Sequence, residues 1–237
     1  MDGILTSLAT GGFDIYVLIL VLPAMLLGMW AQSKVSSTFN KYSQFPNAKG
    51  YTGRDVARQI LDDNGLQNVP IEHIAGNLTD HYDPRGRVVR LSDSVYGSTS
   101  IAAAGVAAHE IGHAIQHATG YSPMKLRSAI IPITNIGSTA AIPLIILGFA
   151  IGMSGLITLG IWLYATVAFF QLVTLPVEFN ASSRALKTLE RRGMLDASEI
   201  AGAKQVLSAA AMTYVAALAS TLATLLRFVL LSRGRKR

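Results

Sequence analysis

The stretch from Ala129 to Val177 contains no Asp, Glu, Lys or Arg. No soluble domain of this size carries so long an uncharged run, since its surface needs charge. A helix needs about 20 apolar residues to cross the roughly 30 Å hydrocarbon layer of a bilayer. Ala129–Met153 and Ser154–Val177 each meet that length, and the short link Gly152-Met153-Ser154-Gly155 makes them an antiparallel transmembrane hairpin. Ile15–Ala31 is a second uncharged stretch, at the lower limit for a span, and Ala209–Leu231 is a third, interrupted by Arg227. The whole chain has 14% charged residues against about 25% in soluble domains. The expected fold is therefore a mainly α integral membrane protein with three to four transmembrane helices and a small β element.

Charge sets the expected topology. The first fourteen residues hold two Asp and no Lys or Arg, so they lack the positive region of a cleaved signal peptide. Lys34, Lys41 and Lys49 follow the first span. Arg127 precedes the hairpin, and Arg184, Lys187, Arg191 and Arg192 follow it. The positive-inside rule then places the N-terminus outside and residues from 32 onward in the cytoplasm. Four spans would put the basic end, Arg233 to Arg237, outside, against the same rule. A re-entrant or interfacial last segment is the alternative. The net charge of +6 is read as topology and contact with anionic lipid headgroups; no aromatic-basic pattern points to nucleic acid. The expected division is 1–31 anchor, 32–128 hydrophilic domain, 129–177 hairpin, 178–208 a helix that continues out of the membrane to Gly193 and carries the candidate ligand, followed by another opened by Asp196-Ala197-Ser198-Glu199, and 209–237 apolar segment with basic tail.

The hydrophilic domain holds the chemistry. Thr52 is placed to cap a helix ending near Asn64, and Val69-Pro70-Ile71 reads as extended. His81 to Ser92 reads as strand, turn, strand, with Asp83-Pro84-Arg85-Gly86 turning. Ser98 or Ser100 caps the next helix, which contains His109-Glu110-Ile111-Gly112-His113. Four residues is just over one helical turn, so His109 and His113 share a face and can share a zinc ion. Glu110 stands where a carboxylate can take a proton from water that the metal acidifies. The chain has no cysteine, so zinc must be held by imidazole and carboxylate.

A catalytic site of this kind takes a third protein ligand. Gln116 and Thr119 stand where a metzincin has glycine and a third histidine, which excludes that class. Glu178 is the favoured ligand, being an isolated carboxylate at the end of an apolar span that needs a partner. His81 and His117 are the alternatives. Val88, Val89, Arg90 and Leu91 are the expected edge strand on which a peptide substrate pairs. Arg184 or Tyr214 is the expected oxyanion stabiliser. Arg90 is read first as part of a solvated strand face, and His73 and His81 as surface residues.

Tyr82-Asp83-Pro84-Arg85, Val89-Arg90-Leu91-Ser92, the segment from Val106 to Gln116 and the segment from Leu175 to Leu186 together resemble the bacterial neutral zinc metallopeptidases of the YugP-like type. The resemblance covers nearly the whole chain, including the order of spans. It implies a gluzincin-like site with Zn2+ on His109, His113 and Glu178, Glu110 as general base, and peptides or membrane proteins as substrates at the bacterial plasma membrane. The chain is more distantly similar to HtpX-like and CAAX prenyl proteases, which carry an aspartate four residues after the ligand glutamate. Ser182 stands there instead, so Ser182, Asn180 and His117 are the candidates for orienting a ligand histidine. The rival readings are a zinc-binding membrane scaffold without proteolysis and an enzyme cutting within the bilayer. Oligomeric state is not legible in the chain.

Overall fold

The computed structural model describes residues 15–234. The acidic N-terminal stretch used for topology, residues 1–14, and the last basic residues, 235–237, lie outside the described part. The elements in order are α1 (Val17–Ser43, opening with a π-helical segment), α2 (Gly53–Asp63), β1 (Ile71–Ile74), β2 (His81–Asp83), β3 (Val88–Ser92), α3 (Ile101–Ala118), α4 (Ser122–Ile151), α5 (Ser154–Arg191) and α6 (Ala197–Gly234). Four of them, α1, α4, α5 and α6, are long and apolar enough to cross a membrane. As expected, the helix that carries Glu178 continues out of the apolar span and ends at Arg191, before Gly193. Glu178 lies inside α5, and the start signal at Asp196–Glu199 opens α6, which runs on through the last apolar stretch. There Glu199 Oε2 accepts the Asp196 N–H, the reciprocal bond of a capping box.

Contacts divide the described residues into an apolar unit (15–31, 126–174, 213–234) and a hydrophilic unit (32–125, 175–212). Glycines hold the apolar unit together. A side chain at Gly160 would stand 2.8 Å from the Ala141 carbonyl oxygen, and one at Gly148 would stand 2.8 Å from the Ile157 nitrogen. Small residues let helices approach where lipid supplies no hydrophobic drive between them. Gly152 serves the turn instead: its φ of +77° is a left-handed position that closes the α4–α5 hairpin.

The hydrophilic unit is built on α3. Ala102, Ala103, Ala104, Ala107 and Ala108 are almost wholly buried, with Ile111 beside them. A helix apolar on nearly every side is enclosed by its neighbours, and its small residues let them come close. Val56, Ile60 and Leu61 from α2, Val89 and Leu91 from β3, and Leu189 from α5 complete this core. Thr52 caps α2 with a reciprocal Asp55 bond, and the Ser100 hydroxyl accepts the Ala103 N–H at the start of α3.

The three strands form one sheet in the order β1-β3-β2, with β3 parallel to β1 and antiparallel to β2. This corrects the expected edge strand. Val88, Val89, Arg90 and Leu91 lie in the central strand, and its backbone groups are taken up by β1 on one side and β2 on the other. The near-continuous burial of β3 fits a strand covered on both faces. Arg90 is not a loosely solvated side chain. It bridges the sheet, donating to Glu72 of β1 at 2.9 Å and to Asp83 of β2 at 3.2 Å.

Candidate metal centre

Helical periodicity puts His109 and His113 one turn apart on α3, their rings nearly perpendicular with centroids 4.7 Å apart. Glu178 arrives on α5. Its Oε2 lies 3.4 Å from His109 Nε2 and 3.5 Å from His113 Nε2, and the carboxylate is 3% exposed. The three ligating atoms all fall within 4.8 Å of one another. Two donors each about 2.05 Å from one tetrahedral zinc stand roughly 3.3–3.4 Å apart. Two imidazole nitrogens and a carboxylate at these spacings therefore fit zinc in both donor chemistry and separation.

Close backbone packing sets this alignment. Gly112 lies between the two histidines in sequence, and a Cβ there would stand 2.8 Å from the Ala181 carbonyl oxygen. The absence of a side chain lets α3 and α5 approach at the level of the ligands.

The neighbours of each ligand are specific. His109 Nδ1 lies 3.1 Å from Ser182 Oγ, and His113 Nδ1 lies 3.0 Å from Gln116 Oε1. Asn180 is hydrogen-bonded elsewhere: its Oδ1 accepts from Gln116 Nε2 and from Arg184 Nε. Burial works against the charged form of His113, but the facing carboxylates Glu178 and Glu110 outweigh it and leave its pKa above the ordinary value.

Glu110 is 8% exposed and stands outside the ligand cluster. Its Oε2 accepts the Tyr82 backbone N–H at 3.0 Å, so β2 is the strand that touches the motif helix here. Tyr82 makes a second contact with α3, its hydroxyl lying 2.8 Å from His117 Nδ1. His117 is thus engaged by β2. His81 is held at the Thr79 carbonyl, and His73 pairs with Asp93. Neither joins the ligand cluster, which among the described residues is the one group of three such side chains that converges. Arg184 is half-buried and joined to Asn180. Tyr214 belongs to the apolar unit.

Sequence reasoning missed Tyr82 and Gln116 as partners of the centre. Gln116 had a usable signal, since it stands one turn after His113 on the same helix. Tyr82 had none, because its contact with Glu110 runs through the backbone.

Two comparisons bear on this centre. The family described as "Putative neutral zinc metallopeptidase" matches residues 17–233. The chain is 51% identical over 212 residues to a protein of Bacillus subtilis (strain 168) named "Putative membrane protease YugP", covering 90% of this chain and 94% of that protein. No solved structure gives a significant match.

Proposed function

We propose that this chain, which belongs to the neutral zinc metallopeptidase family, is a membrane-bound zinc endopeptidase with its site on the cytoplasmic side. The observation that carries the reading is the convergence of His109 Nε2, His113 Nε2 and Glu178 Oε2, with Glu110 beside them but outside the cluster. A structural zinc site closes with four protein ligands and has no use for an adjacent free base.

His109, His113 and Glu178 would hold zinc. When bound, zinc supplies a Lewis acid that polarises a carbonyl and makes water acidic near neutral pH. Glu110 takes the proton from the attacking water and delivers it to the leaving amine. The Tyr82 N–H holds the Glu110 carboxylate in place for the transfer. A strand presents the N–H and C=O of one residue on the same side, so the Tyr82 carbonyl also points away from β3, toward a peptide lying along β2. That edge replaces β3 as the docking strand. Arg127 and the cations after Glu178 support a cytoplasmic site, with membrane proteins or their cytoplasmic tails as substrates.

Elemental analysis and a proteolysis assay on detergent-purified protein test the reading. The parent should carry one zinc per chain, Glu178→Ala should lose it, and Glu110→Gln should keep it while hydrolysis stops. A parent without zinc after reconstitution, or equal hydrolysis by Glu110→Gln, overturns the mechanism. Zinc bound without hydrolysis of any peptide would leave the scaffold reading.

A further inference from the structure

We propose that Gln116 is a positioning residue that fixes the tautomer of His113, and that Asn180 and Arg184 hold it in the amide orientation that does so. The proposal rests on the zinc reading of His109, His113 and Glu178. It follows from hydrogen-bond bookkeeping at a fully buried amide.

Gln116 Nε2 lies 2.8 Å from the Val177 carbonyl oxygen and 3.0 Å from Asn180 Oδ1. A backbone carbonyl can only accept, so the NH2 end must face it; the flipped amide would set two acceptors against each other. Asn180 is oriented in the same way. Its Oδ1 also meets Arg184 Nε at 2.8 Å, and a guanidinium has no acceptor to offer. The forced orientations run from a fixed cation through two amides to Gln116 Oε1, 3.0 Å from His113 Nδ1. An amide oxygen carries no hydrogen. Gln116 Oε1 stands at hydrogen-bond distance from Nδ1, whereas Glu178 Oε2 stands 3.5 Å from Nε2, so the proton of neutral His113 is on Nδ1 and the lone pair is on Nε2. His109 differs, because the Ser182 hydroxyl at its Nδ1 can donate or accept. One ligand histidine is preset and its neighbour is adjustable. Among the described residues the partners at the two Nδ1 atoms are a hydroxyl and an amide, not carboxylates, which distinguishes this centre from carboxylate–histidine–zinc arrangements. Arg184 acts here through Asn180 and Gln116.

The test uses full-length protein in detergent and two readouts besides activity. In chelator competition, Gln116→Met should weaken zinc binding by about 10- to 100-fold, the usual cost of losing such a partner. Asn180→Leu should weaken it less, and Asn180→Asp, which keeps an acceptor for both donors, should restore parental affinity. Cobalt substituted for zinc should give an altered visible spectrum in Gln116→Met. Parental affinity and spectrum in Gln116→Met overturn the proposal, as does a variant that only lowers the melting temperature. The tautomer is read independently by 15N NMR of histidine-labelled, zinc-free protein at alkaline pH. Nδ1-protonated His113 in the parent, becoming a mixture in Gln116→Met, supports the proposal even if zinc binding fails. The same tautomer in both proteins overturns it. Absence of zinc from the parent overturns only the zinc reading.

Discussion

Replacing Gly112 with alanine adds a single methyl group and should still damage the metal centre. Two effects oppose each other. Alanine in place of glycine within a helix favours α3 by roughly 0.5–1 kcal/mol. Against that, the new Cβ would stand 2.8 Å from the Ala181 carbonyl oxygen, 3.1 Å from its Cα and 3.2 Å from its carbonyl carbon. All three atoms are backbone, in the turn of α5 that follows Glu178, so no side chain can rotate away. Ordinary contact needs the helices to separate by about half an ångström, and overpacking of this kind costs about 1–3 kcal/mol. Metal–ligand distances tolerate about 0.2 Å. The separation moves Glu178 relative to both histidines, so much of the cost falls on metal binding. At about 1.4 kcal/mol per tenfold, zinc affinity should fall by roughly 5- to 150-fold. Chelator competition measures this, and the melting temperature of the zinc-free protein separates metal binding from stability. Gly105→Ala is the control. Its nearest contact is the Ala203 Cβ at 3.3 Å, so zinc affinity should be unchanged. Parental zinc affinity in Gly112→Ala would refute the idea that backbone contact sets the ligand spacing.

Gly160→Leu should lower the melting temperature in detergent, because its side chain meets the Ala141 carbonyl oxygen and the Ile145 backbone; an unchanged melting curve would remove the glycine packing argument. The β2–β3 hairpin should loosen in acid. The Gly86 and Arg85 N–H groups, with Arg90, hold the Asp83 carboxyl below its ordinary pKa. Such a group contributes stability above its unfolded pKa, near 4, and loses it as pH falls through the lowered folded value. Amide exchange at Val88–Arg90 should therefore speed up below about pH 4 in the parent. Asp83→Asn should show a flatter profile, and identical profiles would reject the assignment. Arg90→Met removes the bridge between β1 and β2, so amide protection should fall in both edge strands while zinc content stays parental; protection lost in one strand alone would mean the bridge is not shared.

Local pattern alone determined much of this protein. Uncharged length dictates the spanning helices, because a charge in hydrocarbon is costly wherever the rest of the chain lies. The four-residue spacing of His109 and His113 dictates a shared face, because helical pitch is a local property. Thr52 and Ser100 announce their helices for the same reason: a cap bonds within its own turn. Tertiary structure decided whatever depends on distant partners. A buried, valine-rich strand is equally readable at an edge or in the middle, and only the parallel pairing of β1, on the other side of β2 in the chain, makes β3 central. That pairing leaves β2 as the edge proposed for docking, at Tyr82, whose backbone N–H leaves no trace in residue type. The end of α5, by contrast, was locally legible, since Gly193 takes the left-handed conformation just past it. Glu178 could be suspected from its isolation, but its distance to the histidines rests on Gly112 meeting Ala181 across two helices. The orientation of Gln116 depends on three groups of α5 that lie some sixty residues further along the chain.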